Sequence, residues 1–95
     1  MKDEKNRGFL QRSRIDIIAC ILSNSNGSSR KTRLIYKCNL SLSQFGAYVD
    51  RLTEGGLLKR YVNDKGKEIY ETAEKGKDFL KDYEKIKKIL DQANM

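Results

Sequence analysis

Basic side chains are the groups in this chain that can bind another molecule. Six of them form two groups, one near the middle of the chain and one around a later glycine: Arg30, Lys31, Arg33 and Lys37, and then Lys65 and Lys67. The formal net charge is +7 and the isoelectric point is near 9.5. Lysine and arginine bind phosphate and carboxylate groups through charge-assisted hydrogen bonds. The sequence therefore favours a polyanionic partner.

Catalytic and metal-binding patterns are absent from the sequence. The chain has no histidine, which removes the commonest general base and a common metal ligand. Cys20 and Cys38 lack the Cys-x-x-Cys spacing of a zinc site. We interpret them as two small buried thiols, with a disulfide between them as an alternative that a reducing compartment disfavours. We expect no enzyme activity, no cofactor, no metal and no small-molecule ligand.

Length and hydropathy predict one small domain. The chain has 95 residues, of which 38% are hydrophobic and 35% are charged. It contains no apolar run of the roughly 18 residues that a membrane span requires, and its N-terminus lacks the apolar core of a signal peptide. We expect a cytoplasmic, nucleoid-associated protein with three parts. These are a flexible basic arm over residues 1–11, a binding domain over 12–72 and a C-terminal helix over 73–95.

Two helices are predicted in the first part of the domain. Ser13 is a suitable N-cap for the first helix because Asp16 follows three residues later. Its apolar positions recur at helical spacing: Ile15, Ile18, Ala19, Ile21 and Leu22. A loop rich in serine, asparagine and glycine follows over residues 23–29. We expect Ser28 or Ser29 to cap a second helix that ends near Cys38 and buries Leu34 and Ile35.

A third helix follows a tight turn at Asn39. Ser41 and Gln44 form a predicted capping box, and Gly55-Gly56 ends the helix. Its apolar stripe comprises Leu42, Phe45, Val49 and Leu52. Polar and small residues lie on or beside the other face: Ser43, Gln44, Ala47, Tyr48 and Arg51. Because glycine is costly inside a helix, we expect Gly46 to permit close approach of another backbone.

A β-hairpin is predicted after the third helix. Residues 57–63 and 68–72 are rich in apolar and β-branched residues, and Asp64 to Lys67 form the turn between them. A long helix then runs to the end of the chain. Three helices, a hairpin and a final helix predict a mostly α, α+β winged helix-turn-helix with the hairpin as the wing.

The last helix carries an apolar seam at coiled-coil spacing. The seam residues follow one another at alternate intervals of four and three: Phe79, Tyr83, Ile86, Leu90 and Ala93, with Leu80 and Ile89 beside them. A free helix of this length is marginal in water, so the seam must pack against something. It either folds back on its own domain or, as we favour, forms a homodimer interface.

The distribution of charge indicates how double-stranded DNA would bind. Residues 28–38 carry four basic and no acidic residues, the hairpin over 57–70 has a net charge of +2, and residues 71–95 are neutral. Basic elements on both sides of a polar recognition helix grip the backbone while that helix, residues 41–54, enters the major groove. The predicted contacts are Arg30, Lys31, Arg33, Lys37, Ser41, Ser43, Gln44, Tyr48, Arg51, Lys65 and Lys67.

Two of these residues are candidates for reading bases, Gln44 for adenine and Arg51 for guanine. Few other long side chains lie on this face, so we expect weak sequence preference. The alternative function is a winged-helix module that binds an acidic protein with the same surface.

Several short motifs resemble a known family. They are Lys31-Thr32-Arg33-Leu34-Ile35-Tyr36, Asn39-Leu40-Ser41, Tyr48-Val49 with Leu52, and Gly56-Leu57-Leu58. Together they resemble the ten-kilodalton archaeal winged-helix DNA-binding proteins first known from Sulfolobus, over roughly Ile15 to Leu90. The resemblance implies a DNA-binding homodimer, a transcriptional regulator or chromatin-type architectural protein, joined by its C-terminal helices as an antiparallel coiled coil. One departure is that threonine stands one place early before the last helix, so we expect Thr72 to cap it.

Overall fold

Three helices, a hairpin and a fourth helix follow one another as the sequence predicts. The computed structural model describes residues 13–93, so the predicted basic arm over 1–11 and residues 94–95 lie outside the described residues. The helices are α1 (Arg14–Asn24), α2 (Lys31–Cys38), α3 (Leu42–Glu54) and α4 (Glu74–Ala93), and the strands are β1 (Ser29–Arg30), β2 (Leu58–Val62) and β3 (Glu68–Thr72). The predicted winged helix, with a long C-terminal helix, is confirmed.

Local hydrogen bonds fix where the first three helices begin and end. Ser13 and Asp16 form a capping box on α1, and Ser41 and Gln44 form one on α3. Asn39 ends α2 in the left-handed conformation, with φ 52°. Gly56 has φ 78° just after α3, a conformation that glycine adopts without strain. Each of these termini was predicted from the residue types.

The predicted cap of α2 is wrong. Ser28 has φ 89° and donates its N–H to the Ser25 carbonyl. Ser29 lies in β1, where it pairs with Tyr70 of β3. Arg30 occupies the N-cap position of α2 without a side-chain cap. The sheet therefore takes the residues that would otherwise cap the helix, giving a three-stranded antiparallel sheet in the order β1-β3-β2.

The core lies between the sheet and the first three helices. Its buried side chains come from α1, α2, α3, β2, β3 and the turn before α3: Ile17, Ile21, Leu22, Leu34, Cys38, Leu40, Phe45, Val49, Leu52, Leu58 and Tyr70. The rings of Phe45 and Tyr70 meet edge to face at 5.4 Å between centroids, an arrangement that aromatic pairs favour. This contact joins α3 to the central strand.

Two residues assigned to the core are exposed. Ile15 is 54% exposed and Leu42 is 65% exposed, and both lie in the first turn of their helix. The neighbours of α1 cover it from Ile17 onward, and the packing beneath α3 begins at Phe45. Helical spacing predicts the buried face of a helix but not how far its end extends beyond the domain.

Thr72 links α1 to β3 instead of capping α4. Its hydroxyl donates to the Leu22 carbonyl at 2.6 Å, and its N–H donates to the Ser25 carbonyl at 3.0 Å. Carbonyl groups at a helix C-terminus have no partner within the helix. Thr72 supplies partners at the end of α1, so the predicted capping role of this threonine is wrong.

The first half of α4 packs on the rest of the chain. Phe79 and Leu80 are partly buried against the core, and Phe79 stacks with Tyr83 at 6.3 Å between ring centroids. The Tyr83 hydroxyl donates to Asp16 Oδ1 at 2.5 Å, which ties α4 to the first turn of α1. This half therefore follows the alternative in which the seam folds back on its own domain.

Close packing in the chain occurs at Gly76 and not at Gly46. A Cβ atom at Gly76 would overlap the Leu57 carbonyl oxygen and the Thr72 side chain. Nothing lies within 4 Å of the position that a Cβ would take at Gly46, so the predicted backbone approach there is wrong. Gly76 lets α4 leave the wing in contact with the backbone that precedes β2.

The two glycines predict opposite effects of alanine. Gly76→Ala should lower the free energy of unfolding by about 1–3 kcal/mol, because the added methyl group overpacks the site. Gly46→Ala should raise it by up to about 1 kcal/mol, since alanine is favoured in a helix and meets no neighbour. Urea unfolding of both variants checks this, and equal effects of the two changes would contradict the packing described.

The contact between Asp16 and Tyr83 predicts a pH dependence. The hydrogen bond from Tyr83 lowers the pKa of Asp16 from 3.8, and the same bond raises the pKa of Tyr83 from 10.0 to about 12. This hydrogen bond contributes its full stabilisation at pH values between the ordinary pKa of aspartate, 3.8, and that of tyrosine, 10.0. It is lost as pH falls through the lowered pKa of Asp16, and as pH rises through the raised pKa of Tyr83.

Tyr83→Phe removes this bond and keeps the ring. The difference in stability between wild type and Tyr83→Phe should be largest near pH 7 and should shrink below pH 3.8 and above pH 10.0. Thermal unfolding across this range measures it. Tyr36→Phe, which alters a tyrosine of α2 that is 80% exposed, is the control. A difference for Tyr83→Phe that does not change with pH would exclude the ionic character of the contact.

Candidate nucleic-acid interface

The exposed side of α3 presents most of the predicted base-facing residues. Phe45, Val49 and Leu52 turn one side of the helix into the core. The remaining predicted residues are exposed at the cap and along the other side, apart from Tyr48, which is half-buried: Ser41, Ser43, Gln44, Tyr48 and Arg51. The amphipathic pattern therefore places the polar side of α3 where a groove of DNA could receive it.

Gln44 is engaged within its own helix. The Ser41 N–H donates to Gln44 Oε1 at 2.9 Å, and the Gln44 N–H donates to Ser41 Oγ at 3.0 Å. A bidentate contact with adenine uses both the oxygen and the nitrogen of a glutamine amide. The capping box holds that oxygen, so reading adenine in this way would require the start of α3 to rearrange.

The basic residues of α2 lie beside the start of α3. Lys31, Arg33 and Lys37 are exposed, and none of them makes an ion pair with another residue of 13–93. The left-handed turn at Asn39 connects the two helices, and the Leu40 N–H donates to the Ile35 carbonyl at 3.0 Å. Three cations that make no ion pair within residues 13–93 thus lie on the helix that this turn joins to α3.

Arg30 belongs to the wing rather than to α2. It pairs with Ile69 in the sheet and lines a concavity of about 560 Å³ together with Tyr61, Asn63, Lys65 and Lys67. The sequence places Arg30 next to Lys31, but β1 turns this stretch toward the hairpin. The wing therefore gathers three of the predicted phosphate-binding cations.

Asn63 orders the tip of the wing. Its Oδ1 accepts the N–H groups of Lys65 and Lys67 at 2.9 and 3.0 Å, and Gly66 has φ 77°. An asparagine that accepts from the backbone two residues later is a recognised turn-former. The sequence contains this signal, and our prediction of the turn did not use it.

The wing is joined to α3 on one flank. Arg60 of β2 lies 3.8 Å from Asp50 of α3, with side chains 39% and 65% exposed. An exposed pair of this kind contributes little stability.

Tyr70 of β3 is the strand partner of Arg60. Burial and a 2.7 Å hydrogen bond to Glu68 raise the pKa of Tyr70 to about 12.

The other flank of α3 faces the start of α1. Arg14 lines a concavity of about 210 Å³ with residues at helical spacing on α3: Gln44, Ala47, Tyr48 and Arg51. Arg14 was not among the predicted contacts, because nothing in the local pattern places the first turn of α1 beside α3. Only the tertiary fold brings the two arginines to one concavity.

The residues of the predicted dimer seam are half-buried up to Tyr83 and exposed beyond it. Phe79 and Tyr83 are half-buried within the chain, whereas Ile86 and Leu90 are 57% and 55% exposed, and Ala93 is also exposed. Ile89 beside them is 63% exposed. Among residues 13–93, three large apolar side chains on the second half of α4 thus lack a buried environment.

Residues 13–93 contain no group of three or more histidine, cysteine or acidic side chains that could hold a metal ion, and none of the helices in this range could span a membrane. The structure forms no disulfide between Cys20, which is half-buried, and Cys38, which is buried.

Comparison with solved structures finds similar folds, among them the following two. The DNA-binding protein Sso10a-2 from Sulfolobus solfataricus matches with a TM-score of 0.78 and 29% identity, over 87% of this chain and 86% of that one. A MarR-family transcriptional regulator from Silicibacter pomeroyi matches with a TM-score of 0.61 and 22% identity, over 81% of this chain and 53% of that one. The second likeness concerns the fold alone.

Comparison of sequences gives the family. No curated protein matches the chain. The family model for the winged helix-turn-helix matches residues 11–91, and the predicted resemblance to the Sulfolobus proteins is confirmed. The chain belongs to the winged helix-turn-helix family.

Proposed function

We propose that this protein binds double-stranded DNA as a homodimer and acts as a transcriptional regulator or a chromatin-type architectural protein. The N-terminal half of α3 enters the major groove, α2 grips the backbone, and the wing contacts the backbone or the minor groove. The role is binding without catalysis, at the nucleoid in the cytoplasm.

The observation that carries this proposal is the exposure of unpaired cations on two sides of α3. Lys31, Arg33 and Lys37 lie beside its start, and Arg30, Lys65 and Lys67 are exposed at the wing. None of these six makes an ion pair within the part of the chain that the structure describes. Cations left uncompensated around one helix are suited to the regularly spaced phosphates of a duplex.

Acidic residues limit the part of α3 that can enter the groove to its first half. Asp50 and Glu54 are exposed near its C-terminal end. Carboxylates repel a phosphate backbone, and Asp50 is only partly compensated by Arg60. Together with the capped Gln44, this favours binding through the backbone with weak sequence preference.

The similarity to Sso10a-2 supports the proposal. That protein is a DNA-binding protein, and the match extends over 87% of this chain. The winged helix-turn-helix family model matches residues 11–91, a range that includes α3 and the wing.

The exposed half of α4 supports the homodimer. Ile86, Ile89 and Leu90 are exposed by 57%, 63% and 55% on a helix that is otherwise rich in charge. An apolar stripe of this kind becomes stable when a second helix covers it. We place the interface at Ile86, Leu90 and Ala93, arranged as an antiparallel pair, with Phe79 and Tyr83 contributing what their intrachain contacts leave exposed.

Salt dependence of duplex binding tests the DNA proposal. The logarithm of the affinity for a random-sequence duplex should fall linearly with the logarithm of salt concentration, by about 0.9 for each phosphate neutralised. Arg33→Ala should weaken binding to every sequence and reduce this slope by about 1 for each protomer. Fluorescence anisotropy at several salt concentrations measures both quantities.

Lys85→Ala, on α4 and outside the proposed DNA contacts, removes the same charge and is the control. A wild type that shows no salt dependence would exclude DNA binding by this surface and favour the acidic protein partner. An Arg33→Ala effect equal to that of Lys85→Ala would remove α2 from the interface. Footprinting on genomic DNA then separates a regulator, with discrete sites, from an architectural protein, with continuous coverage.

Sedimentation equilibrium tests the homodimer. Wild type should sediment at twice the chain mass of 11.0 kDa, and Ile86→Lys should shift the population toward monomer because a charge is buried in the seam. Gln92→Lys, an exposed position outside the seam, is the control. A wild-type monomer would refute the dimer, and an Ile86→Lys variant that remains dimeric would place the interface elsewhere.

A further inference from the structure

We propose that Arg14 and Arg51 together hold one phosphate of the DNA backbone, in the concavity between the first turn of α1 and the recognition helix. This inference rests on the proposed function and gives α1 a direct part in DNA binding. It also gives Arg51 a different role from the predicted contact with guanine.

The geometry brings two cations from separate helices to one site. Arg14 begins α1, and Arg51 lies in the last turn of α3. Both line a concavity of about 210 Å³ whose floor is a single face of α3, with Tyr48 as its aromatic member. The site opens beside the surface that the proposed function presents to the major groove. A backbone phosphate at the edge of that groove is therefore the anion that this site would meet.

The positive charge at this site is not neutralised by nearby acids. Asp16, two residues from Arg14, accepts hydrogen bonds from Ser13 and from Tyr83. Asp50, next to Arg51, lies 3.8 Å from Arg60 on the wing side. Within residues 13–93 neither Arg14 nor Arg51 makes an ion pair. The acids closest in sequence are thus directed away, and the two guanidinium groups remain available to an anion.

Arg14 has no evident stabilising role in its own helix. A positive charge in the first turn opposes the helix dipole, which favours acidic residues there. α1 has an acidic residue, Asp16, in that turn, and its cap is supplied by Ser13. The position of Arg14 is therefore better explained by binding than by folding.

The chemistry of the site suits a phosphodiester group. Guanidinium groups donate in pairs to two oxygens of a phosphate, and two arginines can share its single negative charge from different sides. Tyr48, which lines the same concavity, carries a phenol O–H as a further donor. Binding here would hold α1 against the DNA strand that borders the groove. This contact lies on the side of α3 away from the Asp50–Arg60 pair.

A double-mutant cycle tests the shared phosphate. Arg14→Gln and Arg51→Gln, alone and together, are compared with wild type in duplex titrations at several salt concentrations, with Lys85→Gln as the control for net charge. Each single variant should weaken binding by about tenfold, the scale of a hydrogen bond to a charged group. The loss should be equal for all duplex sequences, because a phosphate contact carries no sequence information.

The double variant gives the decisive result. If both arginines hold one phosphate, the double variant should lose less binding free energy than the sum of the losses in the two single variants. Its salt slope should fall by about 0.9 for each protomer rather than by twice that amount. Circular dichroism and thermal unfolding verify that each variant remains folded.

Three outcomes would overturn the inference. One is an Arg14→Gln effect no larger than that of Lys85→Gln, and another is strict additivity of the two losses. The third is an Arg51→Gln effect that differs between sequences, which would assign Arg51 to base reading. In each case the wild type still binds DNA, so these failures are distinct from failure of the proposed function, in which the wild type shows no salt-dependent binding.

Discussion

The position of β3, paired with a strand on each edge and packed against α3 on one face, is the constraint on which the rest of the structure depends. β3 is the central strand between β1 and β2. Tyr70 in its middle packs against Phe45 of α3, and Thr72 at its end bonds two carbonyl groups at the end of α1. Only Ala73 separates it from α4. One five-residue strand thus fixes the relative positions of α3, the wing, α1 and α4.

This arrangement explains how a small core can support a polar surface. The exposed side of α3 and the cations of α2 and the wing contribute little to folding, because they make few contacts within the described chain. The hydrogen bonds that order these elements come from caps and turns at Ser41, Asn39 and Asn63. Short-range bonds therefore hold the surface in shape, while the buried side chains beneath it supply most of the stability.

Features set by local chemistry were predictable from the sequence. The capping boxes at Ser13 and Ser41, the left-handed Asn39 and the hairpin all depend on residues within a few positions of one another. The features that the sequence did not reveal depend on distant partners. β1 forms because Tyr70 and Ile69 pair with it, and Thr72 bonds α1 because the fold brings them together.

The same division applies to the candidate interface. Most of its cations were identifiable from charge alone, but Arg14 required knowledge that α1 begins beside α3. Ile15 and Leu42 were assigned to the core from helical spacing, but both are exposed. The spacing carries no information on where a helix extends past the elements that cover it. For Gln44, residue type predicted both a cap and a base contact, and the structure uses the cap.

The attachment of α4 has a mechanical consequence. The helix is held at Gly76, against the Leu57 backbone, and again at Tyr83, which bonds Asp16. These points are about 10 Å apart, and the helix continues freely for about 15 Å beyond the second. It therefore behaves as a beam clamped at one end. A sideways force on its exposed end is taken up at these two attachments, with about 1.5 times the force at Gly76 and about 2.5 times the force at Tyr83.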